Sequence, residues 1–198
     1  QQIETIDATG NVTAIDGTRS AWGDAATYDN RTGILIVTGN PRAQEGLRQV
    51  TGDEMTFTTG SDQLVVKNAK TLTDDAKAPT DKKQLSVESD VLTIDKQRST
   101  ALWRGHVRAR RGAMLLRAPV LNATYNASGE IDRASASGGV EATEGDRWAK
   151  GKQAEYDVAK GVLVVTGNPE ARQGNNRMKG TRITFYSGTE FTEVENAT

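Results

Sequence analysis

The 198-residue chain sets 25 Lys and Arg against 26 Asp and Glu, a formal net charge of −1, which excludes a protein whose main task is to neutralise nucleic-acid phosphates. It has no cysteine, so disulfide frameworks and thiol chemistry are excluded, and no run of about 18 apolar residues that could form a spanning helix. Its apolar residues, 35% of the chain, fall in short ordered clusters, which points to a folded protein with much exposed polar surface.

From the N-terminus, the polar start Gln1-Gln2-Ile3-Glu4 lacks the architecture of a secretory signal. The apolar run Gly33 to Val37 then reads as a strand closed by Thr38-Gly39-Asn40-Pro41, since Gly and Asn tolerate left-handed backbone and Pro cannot donate to a following ladder. Thr73 to Lys83, with Asp74-Asp75 and Pro79, is polar and poor in β-formers and reads as a linker-like loop. Beyond it, Leu85-Ser86-Val87, Val91 to Ile94, Ala101-Leu102-Trp103, Met114-Leu115-Leu116, Val120-Leu121 and Arg182 to Tyr186 are short β-compatible clusters separated by polar turns. No stretch has a convincing helical period.

The chain repeats itself. Ala25-Ala26-Thr27-Tyr28-Asp29 through Pro41 returns as Gln153-Ala154-Glu155-Tyr156-Asp157 through Pro169, an offset of 128 that holds without a gap from Ala8/Ala136 to Ala69/Ala197. Turn composition alone would not fix Tyr-Asp, Thr-Gly-Asn-Pro and the apolar alternation in one register, so we read a genuine duplication.

No constellation marks catalysis. Asp29 and Asp157 follow Tyr in equivalent turns, and the lone His106 has no partner for a metal site or a serine triad. The stretch Gly145 to Lys152 has the wrong glycine spacing for a phosphate loop and Gln153 where Ser or Thr belongs. We therefore expect no enzyme, no cofactor and no metal. Arg104, His106, Arg108 and Arg110 alternate on one strand face opposite Trp103, Val107 and Ala109. They read as a solvated outer face or, more sharply, with Arg104, Arg108 and Arg110 as a candidate rim for phosphate or acidic sugar.

Taken in order, Leu85 to Asp90, Trp103-Arg104-Gly105-His106-Val107, Ala118 to Tyr125, Ala154 to Asp157, Val164 to Asn168 and Met178 to Phe185 resemble one complete unit of the LptA/OstA family of periplasmic lipopolysaccharide-transport proteins. Residues 84–198 make up that unit; residues 1–71 resemble the second half of another, continuous with it, and 72–83 are the linker-like loop. The resemblance implies an all-β fold of repeated antiparallel strands, an open β-jellyroll of two sheets that stacks end to end through edge strands. It further implies a non-enzymatic carrier in the Gram-negative periplasm, its signal peptide outside the chain. Lipid A acyl chains would lie in an apolar groove within a bridge to the outer membrane.

The groove wall expected from the inward alternation is Leu85, Val87, Met114, Leu116, Leu121, Tyr156, Val158, Leu163, Val165, Met178, Ile183 and Phe185, with Tyr28, Leu35, Val37, Met55 and Phe57 in the other copy. The implied partners are lipopolysaccharide, LptC-like and LptD-like proteins through edge-strand pairing, and further copies head to tail, with no nucleic acid. A longer LptA-like protein, the periplasmic part of an LptC-like protein and the soluble domain of an LptD-like protein all fit. The rival reading is a structural or adhesin-like β-solenoid with a closed core.

Overall fold

A computed structural model describes residues 3–74, 84–127, 129–186, 189 and 191–197. Seventeen strands follow one another: β1 (Thr5–Asp16), β2 (Arg19–Asp29), β3 (Ile34–Thr38), β4 (Arg42–Glu45), β5 (Arg48–Thr51), β6 (Glu54–Thr58), β7 (Gln63–Asp74), β8 (Gln84–Asp95) and β9 (Thr100–Arg111). The second half of the chain adds β10 (Met114–Tyr125), β11 (Ile131–Glu144), β12 (Arg147–Asp157), β13 (Val162–Thr166), β14 (Glu170–Gln173), β15 (Asn176–Lys179), β16 (Arg182–Tyr186) and β17 (Thr192–Glu195). All pairings are antiparallel, and no helix occurs among the described residues.

Each rung of this ladder bends in its middle, so that its two arms belong to two different sheets. In the long strands the bend falls at Gly10-Asn11, Asn68, Gly105-His106 and Gly138-Gly139, all with positive φ; the register slips at each of these except Asn68, where β7 and β8 stay in step. Where the bend is sharper the rung splits in two. β2 pairs with β3 through Ala25 to Asp29 and with β4 through Arg19 to Trp22, and Gly39 (φ 73) and Asn40 (φ 53) turn the chain between them. Glycine and asparagine are the residues that adopt this left-handed backbone at least cost, which is why Thr-Gly-Asn-Pro stands there and again at Gly167 (φ 76) and Asn168 (φ 60). Pro41 and Pro169 are fully buried behind these turns.

The result is a V-shaped, two-sheet β-jellyroll whose sheets share one bent spine. Sheet one carries the arms that include β3, β6, β13, β16 and β17; sheet two carries those that include β4, β5, β14 and β15. No ladder joins the two free lips of the V among the described residues, so the backbone is open along that side.

The duplication is exact at the level of elements. The bounds of β2 to β6 recur in β12 to β16 with every residue shifted by 128. One boundary differs from the sequence reading: Leu72, Thr73 and Asp74 belong to β7, and Thr71 to Asp74 pair in register with Val87 to Gln84 of β8. The remainder of the expected linker, residues 75–83, lies outside the described residues.

The paired turn acids have a structural task. Asp29 Oδ1 accepts the backbone N–H groups of Thr32 (3.0 Å) and Arg31 (2.8 Å), and Asp157 Oδ1 accepts that of Lys160 (3.1 Å). These bonds, led by Thr32 and by Lys160 respectively, hold both carboxyls below their ordinary range. A depressed folded pKa contributes stability above the unfolded value of about 3.9, and that contribution is lost as pH falls through the folded value. Asp157→Asn is therefore expected to narrow the gap between unfolding midpoints measured at about pH 7 and about pH 3, and an unchanged gap would refute the assignment.

Candidate functional site

Register turns the repeated alternation into continuous columns of side chains between the sheets. On sheet one the column nearest the spine runs Ala8, Ala26, Val37, Met55, Val66, Leu92, Trp103, Leu121, Ala136, Ala154, Val165, Ile183, Val194, one residue from each of thirteen rungs. Every member from Ala26 to Ile183 is buried. Beside it, nearer the lip, runs Ile6, Tyr28, Leu35, Phe57, Leu64, Ile94, Ala101, Ala123, Ala134, Tyr156, Leu163, Phe185, Thr192. Sheet two answers with Ala14, Ala21, Ala43, Val50, Thr71, Val87, Ala109, Leu116, Ala142, Ala149, Ala171, Met178.

The lip column of sheet two is different in kind. It reads Asp16, Arg19, Glu45, Arg48, Thr73, Leu85, Arg111, Met114, Glu144, Arg147, Gln173, Asn176. A charged and polar edge thus borders an apolar interior, broken by Leu85 and Met114.

Side chains of this column cross to the hairpin tips of sheet one. Arg19 pairs with Asp62 and Glu45 with Lys96. Arg48 Nη2 donates to the Gly129 carbonyl at 3.0 Å, and its guanidinium lies 4.1 Å from the centroid of the Tyr125 ring. Arg147 Nη1 donates to the Thr189 carbonyl at 2.7 Å. Deeper in, the Trp103 indole spans the interior and donates to Thr71 Oγ1 at 3.2 Å. The sheets are staggered, since each sheet-two residue meets a sheet-one residue or hairpin tip from further along the chain. Burial of Tyr125 raises its hydroxyl pKa, with Arg48 opposing part of the rise.

With the lips bridged in this way, the interior is filled by its own side chains. A small cleft lies between Met114, Ala142 and Ala149 on one side and Leu163 and Phe185 on the other.

Sixteen of the seventeen expected wall residues stand in these columns. Tyr28, Leu35, Phe57, Tyr156, Leu163 and Phe185 form the lip side of sheet one, and Val37, Met55, Leu121, Val165 and Ile183 its spine side. Val87, Leu116 and Met178 sit in the apolar column of sheet two, with Leu85 and Met114 at its lip. Val158 is the exception: it lies past the end of β12, in the turn to β13, where its N–H bonds to the Asp132 carbonyl.

The arginines expected as a rim are outside the V. Arg104 projects from the outer face of sheet one, and Arg108 and Arg110 from that of sheet two, all exposed, with the bend at Gly105-His106 between them. His106 is exposed and pairs with Asp90 at 2.8 Å on the spine. The cations that border the interior are Arg19, Arg48, Arg111 and Arg147.

The profile of the family described as LptA/(LptD N-terminal domain) LPS transport protein matches residues 1–63 and 86–191. The chain belongs to this family. Among solved structures, it is similar to LptH, the LptA homologous periplasmic component of the lipopolysaccharide transport device of Pseudomonas aeruginosa, at 18% identity and a TM-score of 0.55. That match covers 60% of this chain and 87% of LptH, and it shows the shared LptA-like β-jellyroll fold. No curated protein matches the chain. Membership of this family gives the chain a role in lipopolysaccharide transport.

Proposed function

We propose that the chain is a non-enzymatic periplasmic carrier that shields lipid A acyl chains between its two sheets and forms part of a bridge to the outer membrane. The observation that carries this reading is the apolar column that runs unbroken through thirteen rungs of sheet one, faced by a mainly apolar column on sheet two, beside a lip with no backbone pairing across it. Each methylene withdrawn from water is worth about 0.8 kcal/mol, so a chain of a dozen carbons left exposed would cost about 10 kcal/mol. A path uniform along its length lets such a chain move without a deep local trap.

The ends of the ladder suit assembly. β1 pairs only with β2, β17 only with β16 and β15 only with β14 among the described residues, and unpaired edges add strands from other chains. Ile6 and Ile15 on β1 are exposed, at 51% and 72%. We assign these edges to LptC-like or LptD-like partners, or to head-to-tail copies. Residues 1–71 act as the second half of one module and 84–198 as a whole one in the same trough.

The test is photocrosslinking with lipopolysaccharide. A photoreactive residue at Tyr156 or Phe57 is expected to capture it and one at Arg108, on the outer face, is not. Capture from no inward position would leave the closed structural scaffold as the reading.

A further inference from the structure

Charge is unevenly spread over the molecule. On the outer face of sheet two, the column nearest the spine holds Arg42, Lys70, Arg108, Arg117, Lys150 and Lys179 against Glu88, Glu141 and Glu170. The column beside it adds Arg110, Arg172 and Arg177 and no acid. Asp74, at the lip of the same face, is bonded to Gln84. The whole chain carries −1, so the rest of the molecule is acidic. The three glutamates are taken up by Lys70, Arg117, Lys150 and Arg177. Arg42, Arg108, Arg110, Arg172 and Lys179 are exposed, and none of them pairs with a carboxylate among the described residues. Trp22 and Trp148, both half-buried, stand in these columns too. The Arg42 guanidinium lies 4.7 Å from the centroid of the first ring and the Lys150 ammonium 5.4 Å from that of the second.

We propose that the outer face of sheet two docks on an anionic lipid bilayer. The spread of the charge selects the partner. Arg42 and Lys179 are nine strand steps apart, about 43 Å at about 4.8 Å per step, which is several screening lengths at physiological salt. A phosphate ion or a sugar acid meets one or two of these cations, whereas a charged plane meets all of them. A linear polyanion laid along the first column meets Glu88, Glu141 and Glu170 in turn. Mobile lipids instead gather anionic headgroups under the cations and leave neutral ones to the glutamates. Indoles beside cations suit the headgroup layer, since each offers an apolar body and a polar N–H. The acidic remainder of the chain turns this face, and not another, toward the membrane.

The experiment is co-sedimentation of the chain with vesicles of phosphatidylcholine alone or mixed with phosphatidylglycerol, at low and high salt, with thermal unfolding to confirm the fold of each variant. The parent is expected to sediment with the anionic vesicles at low salt and to be released by high salt. Each cation held at an anionic surface strengthens binding about fivefold, so Arg108→Gln with Arg110→Gln is expected to weaken it about twenty-fivefold. Arg104→Gln with Arg133→Gln removes the same charge from the outer face of sheet one and should leave binding unchanged.

Equal weakening by the two pairs would trace binding to net charge and overturn the docking face. Equal sedimentation with neutral and anionic vesicles, untouched by salt, would trace it to acyl chains entering between the sheets and overturn it as well. A parent that ignores anionic vesicles at low salt ends the proposal, and its retention on an acidic polysaccharide would hand the face to a linear polyanion. None of these results bears on the carrier reading, which stands or falls on capture from the inward positions.

Discussion

Trp103→Ala is expected to destabilise the protein by about 3–5 kcal/mol, the largest effect of any single substitution in the interior. Trp103 is 2% exposed and is the bulkiest of the fully buried side chains. It stands at the seventh of thirteen rungs, flanked by Leu92 and Leu121 on sheet one, and reaches across to sheet two. Truncation leaves a void that neighbouring strands cannot close, since each is fixed by hydrogen bonds on both sides, and it removes the donor to the buried Thr71 hydroxyl. Trp103→Phe separates the two contributions: it keeps most of the packing and loses the hydrogen bond, for about 1–2 kcal/mol. Urea unfolding midpoints measure both. A Trp103→Phe midpoint equal to that of the parent would show that the cross-sheet bond contributes nothing.

Gly151→Ala is expected to cost about 1–3 kcal/mol by overpacking, although the change adds one methyl group. A Cβ at Gly151 would stand 2.6 Å from the Thr166 carbonyl oxygen and 2.6 Å from Val165 Cγ1. The obstruction includes backbone, so it cannot be relieved by a rotamer change. Its counterpart in the duplication is Gly23, where the Cβ would meet Val37 Cγ1 at 2.5 Å and the Thr38 oxygen at 2.7 Å. The duplication thus predicts that Gly23→Ala and Gly151→Ala cost the same within error. Gly60→Ala, with no atom within 4 Å of the added group, is the control expected to leave the unfolding midpoint within experimental scatter. If all three variants behave alike, close approach at the spine is not what these glycines provide.

Much of this architecture could be read from residue order. Strand clusters, glycine and asparagine at the bends, and the 128-residue register all carried through, because each depends on local backbone chemistry repeated twice. The residues that face inward were legible where they are large. Among those missed are two groups with physical reasons. Ala26, Ala43, Ala101, Ala136, Ala149, Ala154 and Ala171 are buried, yet alanine carries little hydrophobic signal, and its value here is to let the two sheets approach. Leu92 and Ile94 were missed because the alternation changes phase at the bend: in β8 the inward residues are Leu85 and Val87 before Asp90, but Leu92 and Ile94 after it. A strict period of two, carried along the twelve residues of β8, puts one arm or the other on the wrong face. The bridges across the mouth left no trace in the sequence, since Arg48 and Gly129 are brought together only by the stagger of the sheets.

The common register of the two copies also sets a ruler. Ala26 occupies the second rung and Ala154, its equivalent, the tenth, so one duplication advances the ladder by eight strands, about 38 Å at the usual strand spacing of about 4.8 Å. Cross-section is untouched by such an advance, because the turns of the two copies fall at equivalent positions, Gly39-Asn40 and Gly167-Asn168. Lengthening by whole copies therefore changes the distance spanned and nothing about the bore, which decouples how far this fold reaches from what it can hold.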